Sequence, residues 1–296
     1  MVLGSFPKKS LSWNICSLKS LPIWLGVALV IYTTYMIFNI RKQSSAPLIV
    51  AWTMYFRGTI SAKVSPTMTN CPYQCDIVER SCDYGTRIPS AYIFHGRDVD
   101  VHDLPTRYPH QLMVFMLLEP PPYAGKAWKQ FPYAYFNATM TYRNDSDYPL
   151  PYGKFVKRSA TDETQALLTE RQIRKALQRK MRGALLLMSN CYSNSTRESI
   201  IRRLSEKIGI TVAGRCNSMF PKAKQVYCPK SVNNGKCEDD LVATHRFYIA
   251  FENSLCRNYI SEKFFRRVSQ MMIPIVLNRR FNVDVTAVRR ARGAIS

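Results

Sequence analysis

The chain has 296 residues, enough for two ordinary domains, and its hydrophobic share of 46 % excludes disorder as the default. Lys and Arg total 42 against 20 Asp and Glu, a formal net charge of +22, which suits nucleic acid, a membrane surface or an anionic ligand. The basic residues are dispersed and no RNA- or DNA-binding motif is present, which sets nucleic acid aside. A phosphate-bearing ligand accounts for part of the excess, and Arg279, Arg280, Arg289, Arg290 and Arg292 for another part.

Leu21 to Ile40 is a charge-free, mostly apolar run whose length matches the ~20 residues needed to cross a hydrocarbon core. Trp24, Tyr32 and Tyr35 suit a membrane span, and Arg41 with Lys42 ends it. A cleaved signal peptide is the competing reading, but no clean small-residue cleavage site follows. Lys8, Lys9 and Lys19 precede the run. The expectation is therefore a cytosolic tail over 1–20, a transmembrane signal anchor over 21–40 and a stem over 41–66, with everything beyond Lys42 in a lumen.

Cysteine usage agrees. Cys16 precedes the run, and Cys71, Cys75, Cys82, Cys191, Cys216, Cys228, Cys237 and Cys256 form an even set that allows full disulfide pairing with open connectivity. Zinc at Cys71, Cys75 and Cys82 is the weaker reading, since no neighbouring His completes a tetrahedral set. Asn137, Asn144 and Asn194 head N-x-Ser/Thr sequons, consistent with a glycosylated luminal domain.

Thr67 to Tyr84 is Cys-rich and reads as a disulfide-pinned start to an α/β domain over 67–160. Ala91 to His95 and Leu112 to Leu118 are short apolar runs that predict buried strands. Glu119 closes the second run, and Pro120, Pro121 and Pro122 follow. Three prolines cannot continue a helix or a central strand, so Glu119 is placed at a strand end on an extended loop. Tyr148 to Tyr152 carries two more prolines and reads as a loop. Glu163 to Arg182 is a charged helical stretch expected to connect two halves over 161–182.

A second α/β pattern begins at Gly183: strand Ala184 to Met188, helix Ser195 to Ile208 and strand Ile210 to Ala213. After a Cys- and Pro-bearing loop come strand Tyr248 to Phe251, polar Glu252, Asn253 and Ser254, a helix capped by Ser261, and strand Ile273 to Leu277. Alternating strands and helices imply parallel sheets. Polar residues between a strand end and a helix start suit a nucleotide diphosphate, because free N–H groups and the positive end of the helix dipole favour an anion. Lys263, in the first helical turn, adds a full positive charge. An ordinary βαβ unit with a polar loop is the competing reading.

The stretch FENS, then Tyr259, then SEK, then IPIVL closely resembles the donor-site signature of the α1,3-fucosyltransferases, whose usual form is FENS, a few residues, DYITEK, a helix and VPVVL. Asn258 stands where Asp is usual and Ser261 where Thr is usual; Ser and Thr both cap helices. MVFMLLEPPP resembles the family segment in which Glu ends a hydrophobic strand. FNATMTYRNDSD with PYG is similar to FNWTMTYRRDSD with PYG. LLLMSNC followed by Arg197, and GRC around Arg215, have family counterparts, so the likeness covers roughly Ala91 to Arg280.

The resemblance implies an α/β fold of two Rossmann-like domains of glycosyltransferase-B type after the transmembrane helix. The acceptor side spans 67–160, and an incomplete donor domain spans 183–281, followed by a divergent basic tail over 282–296. It implies a single-pass type II Golgi membrane protein that moves fucose, with inversion, from GDP-fucose to GlcNAc of a glycoprotein glycan in α1,3 linkage. Glu119, on a rigid strand end, is the expected general base. Lys263, Arg215 and the helix start at Ser261 are expected to oppose the charge building on the leaving diphosphate. Asn253 and Glu262 are expected to hold fucose and ribose hydroxyls or order the loop, Tyr259 to pack on the nucleotide, and Glu252 to buttress the loop. His95 and Asp98 fall in a segment near the cleft.

Asp145-Ser146-Asp147 has the spacing of a metal-binding pair, but it lies inside a family segment where it is structural. No metal is required, manganese is expected at most as a stimulant, and a homo-oligomer is allowed. Because the family normally continues well past Phe281, the alternative expectation is a catalytically inactive truncated paralogue acting as a membrane-anchored luminal binding protein.

Overall fold

The computed structural model describes residues 26, 30–34, 46–68, 71–155, 169–228 and 235–278, with the backbone alone for 65–68. Residues 1–47 and 48–296 form separate compact units. In the first, Gly26 and residues 30–34 are helical. Among the described residues no helix is long and apolar enough to cross a membrane. Most of the expected anchor over 21–40, the tail over 1–20 and the basic tail over 282–296 lie outside them.

In the second unit β1 (Leu48–Ala51), β2 (Asp76–Glu79), β3 (Ala91–His95), β4 (Leu112–Leu117), β5 (Ala138–Thr141) and β6 (Tyr148–Pro149) form one sheet. Their order is β2-β1-β3-β4-β5-β6, with every pair parallel. β3 is buried along its length and β4 is apolar without alternation, as strands covered on both faces must be. One face packs Ile93, Val114 and Met116 against Ile60 and Val64 of α1 (Ile60–Met68). The other packs Tyr92, Phe94 and Met113 against Phe131, Tyr135 and Phe136.

Two expectations are corrected here. Residues 48–51 and 60–66, read as stem, instead supply a strand flanked on both sides and its covering helix. A four-residue apolar run carries too little periodicity to declare itself; its burial is decided by β2 and β3. Tyr148 to Tyr152, read as loop, begins with the two-residue β6, where Pro149 is tolerated because the strand lies at the sheet edge.

Of the expected connecting helix, α2 (Glu170–Arg179) is helical, capped by a reciprocal Thr169–Gln172 box, while 161–168 lie outside the described residues. Buried Lys180 then donates from Nζ to Val242 O at 2.5 Å and His245 O at 3.3 Å. Burial pulls its ammonium below the ordinary lysine value.

The second sheet holds β7 (Arg182–Leu187), β8 (Ile210–Ala213), β9 (Lys224–Val226), β10 (His245–Ile249) and β11 (Ile273–Ile275), in the parallel order β11-β10-β7-β8-β9. Its helices are α3 (Arg197–Ser205), α4 (Lys236–Thr244) and α5 (Glu262–Ser269). β10 starts three residues before the expected Tyr248 because His245 is fully buried, held by Leu241 O and Thr211 Oγ1. Disulfides join Cys191 to Cys216 and Cys228 to Cys237, while Cys71, Cys75, Cys82 and Cys256 are free. Full pairing is thus not realised: three of the free thiols lie around β2 and the fourth in the loop after β10.

Strand order reverses between β1 and β3 in the first sheet and between β7 and β10 in the second. Such reversals leave a crevice at the carboxyl ends of parallel strands, where ligands of open α/β sheets bind.

Candidate functional site

The loop after β10 crosses the second sheet's reversal. Its backbone is held by the first residue of α3 and the turn before it: Ser195 N–H donates to Asn253 O at 3.0 Å, Ser195 Oγ to Glu252 O at 2.6 Å, and Arg197 Nη1 to Phe251 O at 2.6 Å. Arg197 also donates from Nη2 to Asn190 O at 3.1 Å and is 4 % exposed. One buried guanidinium thereby ties the loop after β7 to the loop after β10. Across β8, Gly214 adopts φ +107°, and a Cβ there would lie 2.3 Å from Met188 O. Only glycine fits so close an approach, and the turn sends Arg215 out to solvent.

Glu252, 3 % exposed, is the hub of the loop. Its Oε1 accepts from Ser261 N at 2.8 Å, and its Oε2 accepts from Ser261 Oγ at 2.9 Å and Lys263 Nζ at 3.2 Å. Ser261 in turn caps α5, accepting from Lys263 N. Glu262 is exposed and its Oε1 lies 3.4 Å from Lys263 Nζ. Burial alone would pull the Lys263 ammonium down, but the Glu252 and Glu262 carboxylates outweigh it and the group ends above its ordinary value. Asn258 has φ +62°. That left-handed position accounts for a short polar residue there, since Asn and Asp visit it more readily than other L-residues.

Glu119 reaches the same cleft from the first sheet, two residues past the end of β4. Burial pushes its carboxyl above the ordinary range. Arg97 and Lys263 pull it back, and Glu262 and Glu252 raise it further. Tyrosines surround it. Tyr55 is pushed up to about 12, by burial and then by Glu119 and Glu262. Tyr152 is raised by burial and then by Glu119, and its hydroxyl donates to Leu118 O at 3.0 Å. Tyr142 meets Tyr259 edge-on at 4.9 Å. Lys63 Nζ stands 5.4 Å above the Tyr152 ring and 5.9 Å above Tyr55.

Of the predicted residues, Glu119, Glu262 and Lys263 share one electrostatic neighbourhood. Tyr259 is 2 % exposed and packs on Tyr142 and Tyr152, so its ring surface is taken up by protein rather than open for a nucleotide. Asn253 keeps Oδ1 buried and unpartnered among the described residues. Arg215 is exposed without a partner among them. Fully buried His95 pairs through Nδ1 with Asp98 Oδ2 at 2.7 Å, and burial lowers its pKa.

Asp145 and Asp147 diverge. The first pairs with Arg143 and the second accepts from Thr139 N and Oγ1 at 2.9 and 2.7 Å. Among the described residues no group of three or more His, Cys, Asp or Glu is placed to hold a metal. Asn144 and Asn194 are exposed; the Asn137 amide donates to Gln111 O and accepts from Met113 N–H. Sequence reasoning missed Tyr55, Lys63, Tyr142 and Tyr152. Tyr142, within FNATMTYRNDSD, and Tyr152, within PYG, lay in segments that carried a signal.

Two family models match the chain: "Fucosyltransferase, N-terminal" over residues 44–153 and "Glycosyltransferase family 10 (fucosyltransferase) C-term" over residues 177–291. Among similar proteins, alpha-(1,3)-fucosyltransferase C of Drosophila melanogaster is 29 % identical over 263 residues, covering 80 % of this chain and 59 % of that protein. Alpha-(1,3)-fucosyltransferase fut-6 of Caenorhabditis elegans is 34 % identical over 153 residues, 50 % of this chain and 36 % of that one. GDP-fucose protein O-fucosyltransferase 3 of Rattus norvegicus is 27 % identical over 186 residues, 62 % and 38 % respectively. The chain thus spans between about a third and three fifths of these relatives' lengths. A solved α1,3-fucosyltransferase structure aligns with TM-score 0.43 at 12 % identity over 79 % of this chain and 68 % of that one. With both halves matched by models of one family, the chain belongs to glycosyltransferase family 10, the fucosyltransferases.

Proposed function

We propose that this chain is an inverting fucosyltransferase that moves fucose from GDP-fucose to GlcNAc of a glycoprotein glycan in α1,3 linkage. The observation that carries this reading is that the Glu119 carboxyl, from the first sheet, lies within electrostatic reach of Lys263, at the start of α5 in the second. Glu119 takes the proton of the acceptor hydroxyl as that oxygen bonds to the fucose anomeric carbon and the bond from that carbon to GDP breaks. Its raised pKa keeps it a better base than an exposed carboxylate. Negative charge grows on the departing diphosphate, and Lys263 Nζ and the amino end of α5 oppose it. Arg215 is a further cation for the diphosphate. Asn253 Oδ1, buried without a partner among the described residues, accepts from a donor hydroxyl.

Under the same reading the chain has a glycosyltransferase-B arrangement, with the acceptor side in the first sheet and the donor in the second. The apolar run over 21–40 anchors it in the Golgi membrane with the catalytic region in the lumen. A protein hydroxyl as acceptor is the second reading, favoured by relatives named GDP-fucose protein O-fucosyltransferase 3.

The test is turnover of the full chain, in detergent, with GDP-fucose and N-acetyllactosamine, a neutral N-glycan or folded protein acceptors. Transfer is expected, with Glu119→Gln lowering kcat by about 10²–10⁴-fold while GDP still binds. No transfer to any acceptor, together with GDP binding indifferent to Lys263→Ala, overturns the reading.

A further inference from the structure

A cavity of about 670 Å³ opens at the first sheet's own reversal between β1 and β3. It is lined from the carboxyl ends of β1, β2 and β3, by Trp52, Phe56, Glu79, Arg80, Asp98 and Asp103 among others. Its volume falls within the ~300–1,000 Å³ of small-molecule sites. None of the chemistry assigned above uses it.

The lining has a definite character. In a chain of net charge +22 the cavity carries four carboxylates, Glu79, Asp98, Asp100 and Asp103, against the two guanidiniums of Arg57 and Arg80. Each carboxylate is oriented through one oxygen. Glu79 Oε1 accepts from Ser61 N and Asp100 Oδ1 from His102 N, both at 2.9 Å; Asp98 Oδ2 accepts from Phe56 N at 2.8 Å, and Asp103 Oδ2 pairs with Arg80. The second oxygen of each has no partner among the described residues. Such fixed, half-used acceptors disfavour phosphate, sulfate and carboxylate ligands. They suit a ligand rich in hydroxyl donors. Arg57, exposed and without a partner among the described residues, supplies donors. Met54, 58 % exposed, and Phe56, 40 % exposed, offer an apolar surface of the kind that the C–H face of a sugar ring covers.

The cavity is joined to the reaction cleft by a hairpin. Tyr55 and Gly58 exchange backbone bonds at 3.0 and 2.9 Å, and Phe56 between them has φ +54°. Asp98, bonded to both Phe56 N and His95 Nδ1, clamps this turn. Phe56 and Gly58 line the cavity, whereas Tyr55 feels the Glu119 carboxylate. A chain of sugars can therefore present one ring to Glu119 and lay the next across the hairpin.

We propose that this cavity is a second acceptor subsite, taking a neutral saccharide unit of the acceptor beyond the sugar that reacts. It rests on the glycan reading of the proposed function and extends it to the substrate's length and charge.

The test uses the full chain in detergent, with neutral oligosaccharide acceptors of two, four and seven sugars and a sialylated counterpart of the longest. A gain of about tenfold in kcat/KM from the shortest to the longer neutral acceptors is expected, the size of one added charge-assisted hydrogen bond. Asp100→Asn and Met54→Ala should each remove most of that gain and leave the disaccharide unchanged. Saturation-transfer NMR with a neutral heptasaccharide lacking a reactive hydroxyl reads binding without turnover, and its signal should weaken in the same variants. Normal turnover with no length dependence, a sialylated acceptor preferred over the neutral one, or equal loss on short and long acceptors in Asp100→Asn overturns the subsite. Turnover of folded protein acceptors alone, without heptasaccharide binding, overturns it in favour of a peptide. Heptasaccharide binding that Asp100→Asn weakens, without transfer to any acceptor and with GDP binding indifferent to Lys263→Ala, supports the subsite while overturning the proposed activity.

Discussion

Glu252 Oε2 and Lys263 Nζ meet at 3.2 Å at the start of α5, and the same carboxylate accepts from Ser261 N and Ser261 Oγ. The acid of FENS therefore holds the Ser261 cap of the helix carrying the expected diphosphate cation. Replacing Glu252 by Ala leaves two buried donors and one ammonium without their partner. The expected cost is about 3–5 kcal/mol, read as a fall in thermal stability and a loss of GDP binding. Lys263→Met, which keeps the length and removes the charge, should cost less stability yet weaken GDP binding as much. The pair should be strongly non-additive in a double-mutant cycle. The raised Lys263 pKa puts the ion pair's contribution fully in place below the ordinary lysine value, and it is lost only as pH rises through the higher folded value. The stability this pair contributes should accordingly not vary with pH around neutrality.

The Glu119 pKa is raised as well, but by burial, which disfavours the charged form of a carboxyl. Burial raises its carboxyl, so the folded state holds the proton longer than the unfolded state. Stability is undiminished below the ordinary carboxylate value, near about pH 4, and declines as pH rises to the folded value. Glu119→Gln should then melt no lower than the parent at neutral pH, and higher if anything, with the difference vanishing in acid. Unfolding scans of both proteins across pH check this. A variant that is inert but destabilised at every pH would assign Glu119 a structural rather than a catalytic place.

Gly214→Ala should be severe. The residue sits at φ +107°, and the added carbon would lie 2.3 Å from Met188 O, a backbone atom that cannot swing away. A loss of at least about 2 kcal/mol is expected from strain at positive φ, with the clash added to it. Chemical unfolding measures it, and a neutral effect would mean that the turn can open.

Asn258, at φ +62°, separates charge from conformation. Asn258→Gly should stabilise slightly or leave stability unchanged, and Asn258→Val should cost about 1–2 kcal/mol. Asn258→Asp should keep the fold, so any change in its GDP affinity reports the charge alone. Calorimetry with GDP on the three variants reads both effects.

Legibility differed between the halves for a physical reason. β3 and β4 are unbroken apolar runs bounded by polar residues, so Ala91–His95 was legible to the residue and β4 to within one. The donor loop was legible because Glu252, Ser261 and Lys263 act within one short segment, where capping is a local rule. β1 was not legible, because LIVA looks like any short apolar stretch until β2 and β3 bond to it. His245 broke the start of β10 because its ring is satisfied by Leu241 O and Thr211, groups its neighbours in sequence do not reveal. Evenness of cysteine count likewise could not place Cys71, Cys75 and Cys82 beside partners.

By itself the sequence determined the parallel α/β character, the strand-end position of Glu119 and the helix-start position of Lys263. Each follows from periodicity, proline chemistry and capping, which act over a few residues. The placing of Lys263 within electrostatic reach of Glu119, the tyrosines near Glu119, and the separate cavity at the β1–β3 reversal were decided only by tertiary structure. Those relations depend on which strands become neighbours and on which side each sheet reverses, and no local rule encodes either.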